Sequence, residues 1–209
     1  MNKYINLILG IIVTICFVSC STSNTSLQEL YPKMYKEKPL SILIMPPMNT
    51  TNKIDAKDFL YASLAKPLCN LGYYVFPPIL TLDFLKSESA YNSEIFIESD
   101  LKKFHQYIGA DAILFTKIKE WDKNALSGLV VVSVDYILKS TQTNEILFTN
   151  TIRFEVDNTP DKSSGSIIAD MIGTAVGTAL TSQMRVARSC VDQGLRVMPY
   201  GKYSPKYWK

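Results

Sequence analysis

The hydrophobic positions of this chain fall into runs of three kinds, and each kind predicts a different element. The first run, Tyr4 to Val18, is apolar except for Asn6, Gly10 and Thr14. At 15 residues it is short for a bilayer span and has the length of the apolar segment of an export signal. Leu40-Ser41-Ile42-Leu43-Ile44-Met45 is nearly continuous, suited to a strand buried on both faces. Pro46-Pro47 ends it, because proline cannot donate to a sheet ladder. Phe59, Leu60, Leu64, Leu68 and Leu71 then recur at helical spacing, with Asp55 as N-cap, Asp58 adding negative charge to the first turn, and Gly72 as the stop. Pro67 inside this pattern predicts a bend.

Tyr73 to Phe76 is a second short strand, closed by Pro77-Pro78. Leu80 to Lys86 and Ser99 to Ile108 read as helices, the latter ending at Gly109. Ala112 to Trp121 begins fully apolar and then alternates, which predicts a strand leaving the core with one face in water. Leu129 to Lys139 and Glu145 to Val156 flank a polar turn and predict an antiparallel hairpin. A helix over Ser166 to Ser189 closes the series. The order β-α-β-α-α-β-β-β-α predicts an α+β domain, a mixed sheet of about five strands packed by helices. We expect that domain over 39–191, a polar flexible tether over 20–38 and an aromatic, basic tail over 192–209.

The first run has further features. Met1-Asn2-Lys3 makes its start basic, and Ser19-Cys20 followed by Ser21-Thr22-Ser23-Asn24-Thr25-Ser26 ends it. Phe17-Val18-Ser19-Cys20 resembles the bacterial lipobox, with Phe17 where leucine is usual. There a small residue precedes a cysteine whose thiol takes a diacylglycerol, and cleavage leaves the cysteine first. We therefore expect a signal peptide over 1–19 and an acylated Cys20, with no other cofactor. An ordinary signal peptide or an uncleaved anchor helix, with an incidental cysteine, is the plainer alternative. Ser21, rather than aspartate, favours outer-membrane delivery under the enterobacterial sorting rule.

Composition narrows the picture further. Loss of 1–19 leaves 190 residues, enough for one domain with a real core. The net charge of +3 falls to about +2 when Lys3 leaves, too near neutral to imply a nucleic-acid partner. Cys69 and Cys190 are candidates for a disulfide in an oxidising envelope, or else two free thiols.

Candidate catalysts are few. His105 is the only histidine, and a lone helical histidine is usually a surface or packing residue. No His, Asp or Glu cluster has metal-ligand spacing, so no metal is expected. Lys162-Ser163-Ser164-Gly165-Ser166 lacks the arrangement that cradles phosphate, and its serines serve as helix caps. In the last helix Ala169, Gly173, Gly177 and Thr181 form a small-residue stripe beside Ile168, Ile172, Val176 and Leu180. Two helical glycines need a packing reason, namely close approach of another backbone. Asp170 and Arg185 argue against a membrane span, leaving the sheet or a second subunit as the surface approached. The tail from Gly201 to Lys209 alternates lysines with aromatics, suited equally to touching lipid headgroups or a partner groove and to wrapping back on the domain or staying mobile.

Three segments resemble a family of bacterial lipoproteins once catalogued only as a domain of unknown function, which includes a neisserial surface lipoprotein antigen. They are Leu40 to Pro47, the stretch Ala65-Lys66-Pro67-Leu68-Cys69-Asn70-Leu71-Gly72-Tyr73-Tyr74-Val75-Phe76-Pro77, and Gly109-Ala110-Asp111-Ala112-Ile113-Leu114 with Lys119-Glu120-Trp121. The resemblance implies association with the outer membrane and a domain like the amino-terminal domain of TolB. It brings no catalytic residues. We therefore expect a non-catalytic envelope module working through protein contacts. Its expected partners are the membrane, through its anchor, and other envelope lipoproteins or a second copy. A small-ligand or peptide-binding accessory of a transporter is the alternative. Replacing Cys20 with alanine should leave the domain folded but release it from the membrane fraction. Palmitate incorporation surviving in Cys20→Ala would show that the anchor lies elsewhere.

Overall fold

The computed structural model describes residues 26–87, 92–123, 129–157 and 179–207. The expected signal peptide, Cys20 and the stripe Ala169, Gly173 and Gly177 lie outside the described residues. The chain begins with α1 (Leu27–Leu30), α2 (Pro32–Glu37), β1 (Ser41–Ile44), β2 (Met48–Asn49), α3 (Ala56–Asn70) and β3 (Tyr74–Val75). It continues through α4 (Pro78–Ser87), α5 (Glu94–Ile97), α6 (Lys102–Ile108), β4 (Ala112–Lys123), β5 (Leu129–Ser140), β6 (Ile146–Asp157) and α7 (Ala179–Leu195).

The strands form one mixed sheet in the order β3-β1-β4-β5-β6, with β2 added to β4. The first half is parallel, Ser41 opposite Tyr74 and Ile42 opposite Ala112. The second is antiparallel, Ala112 opposite Ser140 and Val134 opposite Ile152. The expected hairpin and α+β class are therefore present, with β2 as an extra short strand. On one face α3 and α7 cover Ile42, Ile44, Leu114, Val132, Val134 and Tyr136. On the other, α4 and α6 supply Leu85 and Phe104 against Leu43, Ile113 and Phe115. That second cover stops at Phe115. Beyond it Lys117 and Lys119 are exposed, as the change from continuous to alternating apolarity predicts. Charge pairs occupy this bare face, Lys119 with Asp135 at 2.7 Å and Arg153 with Glu120 at 3.0 Å. Such exposed pairs add little stability and keep the face wetted.

Five expectations change. The tether expected over 20–38 packs on the domain from Tyr31 onward: Met34 is fully buried and the Tyr31 ring lies 4.9 Å from Phe148. Its lysines hid one apolar contact per turn, and Ser26 with Glu29 closes a capping box at its start. Asp55 precedes α3 without a side-chain capping bond. Pro78, expected as a stop, is the first residue of α4, where a missing N–H costs nothing. The short helix α5 was not anticipated. α7 runs on to Leu195, past the expected Ser189, and of the readings left open for the tail the one observed is packing back on the domain.

α7 approaches β5 closely at Gly194, where a Cβ would overlap the Tyr136 ring. The Tyr136 hydroxyl donates to the Cys190 carbonyl at 3.1 Å, and Asn150 donates to the Gly194 carbonyl at 2.8 Å. Burial pushes the Tyr136 phenol well above its ordinary value, so it remains a donor. Gly194→Ala should destabilise the fold by about 2 kcal/mol through overpacking, read as a lower urea midpoint at unchanged slope. An unchanged midpoint would mean that α7 can shift freely on the sheet.

Candidate functional site

Two groups of polar residues gather outside the apolar core. The first sits where β1 and β4 begin. Asp111 Oδ2 accepts from the amides of Leu40 and Ser41 at 2.9 and 3.0 Å, and from the Ser41 hydroxyl at 3.0 Å. The Asp111 amide in turn donates to Ser41 Oγ at 3.0 Å. Thr141 Oγ1, from the turn after β5, reaches the Ala110 and Asp111 carbonyls at 2.6 and 2.8 Å. His105 stands beside them, Nδ1 3.1 Å from the Ala110 carbonyl and 4.0 Å from Asp111 Oδ1.

Serine, aspartate and histidine thus meet, but in the wrong order for nucleophilic catalysis. That chemistry needs the histidine between hydroxyl and carboxylate. Here the carboxylate holds the hydroxyl itself, Ser41 is buried, and the imidazole contacts a carbonyl. The group ties strand ends together.

The second group lines an open cleft of about 430 Å³ where the ends of α3 and α7 meet the last residues. Pro67, Asn70 and Leu71 form one wall, Asp192, Leu195 and Arg196 another, and Tyr200 with Ser204, Pro205 and Lys206 the third. The third wall is held by backbone. Gly201 donates to the Leu71 carbonyl at 2.9 Å, Tyr203 to the Gly72 carbonyl at 3.0 Å, and the Tyr73 hydroxyl to the Pro199 carbonyl at 2.6 Å. Gly72 has φ +91, and a Cβ on it would overlap Ser204. Glycine is required there on both counts. Burial drives the Tyr73 phenol far above its ordinary value, so its bond to Pro199 persists.

Electrostatically the cleft is mixed. Two helix C-termini converge on it with their partial negative charge, and Arg196 and Lys206 offset that field. Lys206 Nζ also lies 5.3 Å from the Tyr200 ring centroid. Apolar, aromatic, amide and both charged types are presented together, as for an extended peptide segment. Among the described residues no group of His, Cys, Asp or Glu could hold a metal ion, and no helix is long and apolar enough to cross a membrane.

A family match covers residues 30–198, under the description "Putative lipoprotein GNA1162-like". The chain belongs to this GNA1162-like family. A Neisseria meningitidis serogroup B lipoprotein, NMB1124/NMB1162, is 25% identical over 200 residues, covering 95% of this chain and 88% of that protein. The crystal structure of lipoprotein GNA1162 from Neisseria meningitidis is similar with a TM-score of 0.54 and 27% identity, over 60% of this chain and 88% of that one. A PelC dodecamer from Paraburkholderia phytofirmans is more distant, with a TM-score of 0.47 and 16% identity over 77% and 87% of the two chains. That distance is too great to bear on assembly.

The family-like segments acquire physical roles in this fold. Leu71-Gly72-Tyr73 receives the tail that builds the cleft, and Gly109-Ala110-Asp111 is the strand-end knot. Trp121 is buried and donates to Gln183 on α7 at 2.8 Å. The candidate disulfide is not formed: Cys69 is free and exposed, and Cys190 is free and buried against Tyr136. Ala169, Gly173 and Gly177 lie outside the described residues, so their packing role stays an expectation. The cleft residues were missed because no local pattern joins positions 67–71 to 192–206; the paired signals were Gly72 and Gly201. Burial pushes the Cys190 thiol up to about 12. Of Cys69 and Cys190, a thiol reagent should therefore label only Cys69 in the native protein, even as the pH rises past about 9, and both after denaturation. Equal native labelling of both would contradict this packing.

Proposed function

We propose that this GNA1162-like protein is a lipid-anchored, non-catalytic module of the bacterial envelope. In this reading Cys20 carries the acyl anchor and fastens the domain to the outer membrane. The cleft between α3, α7 and the tail takes a segment of another envelope protein. A second lipoprotein or a second copy of this chain would fit that role, and no cofactor beyond the acyl groups is needed. The supporting observation is the cleft. Its open shape and mixed lining suit a chain segment, and its walls are tied by backbone bonds.

The test is a photo-crosslinking residue in place of Tyr200 in the full lipidated chain, within its own envelope. A discrete protein adduct should form, and it should disappear when Arg196→Glu and Lys206→Glu are combined. An adduct equally strong at Asp83 on α4, or unaffected by the charge reversals, would sink the proposal. A small compound released on denaturation, with no protein adduct, would favour the ligand-binding accessory instead.

A further inference from the structure

The described exposed apolar side chains are not scattered evenly over the surface. Eleven large ones are exposed, and six of these are Leu30, Leu40, Tyr74, Tyr107, Ile146 and Tyr203. All six belong to the end of the sheet from which its parallel strands start. The bonding pattern places each of them. Leu40 donates to Asp111 beside the start of β4, and Tyr74 pairs with Ser41. Tyr107 lies in the last turn of α6, two residues before Gly109 and close to the same knot. Tyr203 is bonded to Gly72, just before β3. Ile146 opens β6 next to the β5–β6 turn, and Leu30 precedes Tyr31, whose ring packs on Phe148.

Lysines stand among these residues. Lys33 pairs with Glu145 at 2.9 Å across the turn, Lys36 and Lys38 are exposed in the segment before β1, and Lys202 is exposed beside Tyr203. Tyrosine, leucine and lysine interleaved in this way match a lipid headgroup layer. Aromatic rings and lysine stems sit at that depth with their polar ends in water. The bare face of β4 to β6 carries ion pairs in place of such residues.

We infer that this end of the domain lies on the bilayer surface. The inference rests on the anchoring of Cys20 proposed above. From Cys20 to Ser26 the chain spans six residues, at most about 22 Å when fully extended. Ser26 caps α1, which leads directly into Tyr31 at this end. β4 alone, with 12 residues, is about 40 Å long. The tether is therefore too short for the domain to stand on its opposite end. Among the remaining orientations, the six apolar residues select this one. The opposite end has exposed apolar residues of its own, Ile54 in the loop bonded through Thr50 to Ile118, Ile79 and Leu80 after β3, and Ile95 near Pro46, so it is the tether that excludes that end.

The inference can be tested with the lipidated full chain in vesicles of phosphatidylethanolamine and phosphatidylglycerol. Tyr107→Trp and Ile54→Trp are introduced at positions 76% and 83% exposed, where the ring meets no packed core. Tyr203→Trp serves if Tyr107→Trp does not fold. Emission is compared in plain vesicles and in vesicles whose acyl chains are brominated near the headgroup, with the parent protein subtracting Trp121 and Trp208. The tryptophan at 107 should lose emission and shift to the blue, while that at 54 should not. Equal quenching at both positions, or none at 107 in protein that floats with the vesicles, would overturn the orientation. Shielding of 107 only by an added envelope protein would assign this end to a protein partner and overturn it too. Protein that neither floats nor incorporates palmitate would remove the anchor itself, and the orientation with it.

Discussion

Asp111 Oδ2 takes three hydrogen bonds from Leu40 and Ser41, and the Asp111 amide returns one to Ser41. These bonds set the register in which β1 and β4 begin, and the other elements inherit that register. With Ile42 opposite Ala112, Ile44 and Leu114 fall on the face that α3 and α7 cover. Leu43 and Ile113 fall on the face covered by α4 and α6. A slip of one residue would exchange those sets between the two covered faces and break the packing of both. Thr141 joins the β5 turn to the same point, so both halves of the mixed sheet are tied at one end.

Order at that end has consequences for the surface. Because β1, β3 and β4 all start there, the segments before them converge on it: α2 before β1, the Gly72 turn before β3 and the end of α6 before β4. The last residues are drawn in as well, since the turn at Gly72 is where their amides find carbonyl acceptors. One end of the sheet thereby collects both chain termini of the described domain. The cleft and the ring of exposed aromatic and apolar residues both arise from this convergence. The other end carries the charged continuation of β4 and its partners.

His105, Ser41 and Asp111 show how residue types alone can mislead about chemistry. The three groups of a hydrolytic site lie together, yet the carboxylate holds the hydroxyl and the remaining bonds go to backbone. The Tyr136–Cys190 contact is similar. The thiol is buried beneath a phenol and raised in pKa, the reverse of what a nucleophilic cysteine requires. Both clusters work as structure.

Sequence alone determined the α+β class, the doubly buried β1, the emergence of β4 into water and the β5–β6 hairpin. Each of these rests on the spacing of apolar side chains along a few neighbouring residues, which periodicity reports directly. The proposal of Cys20 as the anchor likewise comes from sequence, because an export signal is a linear segment. Tertiary structure decided the rest. Met34 is a core residue, the tail forms a wall, Cys69 and Cys190 stay apart, and Gly72 receives Ser204. Each of these depends on groups tens of residues apart in the chain, such as Tyr73 and Pro199 or Leu71 and Gly201. Backbone hydrogen bonds between such groups leave no periodic trace, because any residue with a free amide or carbonyl can make them.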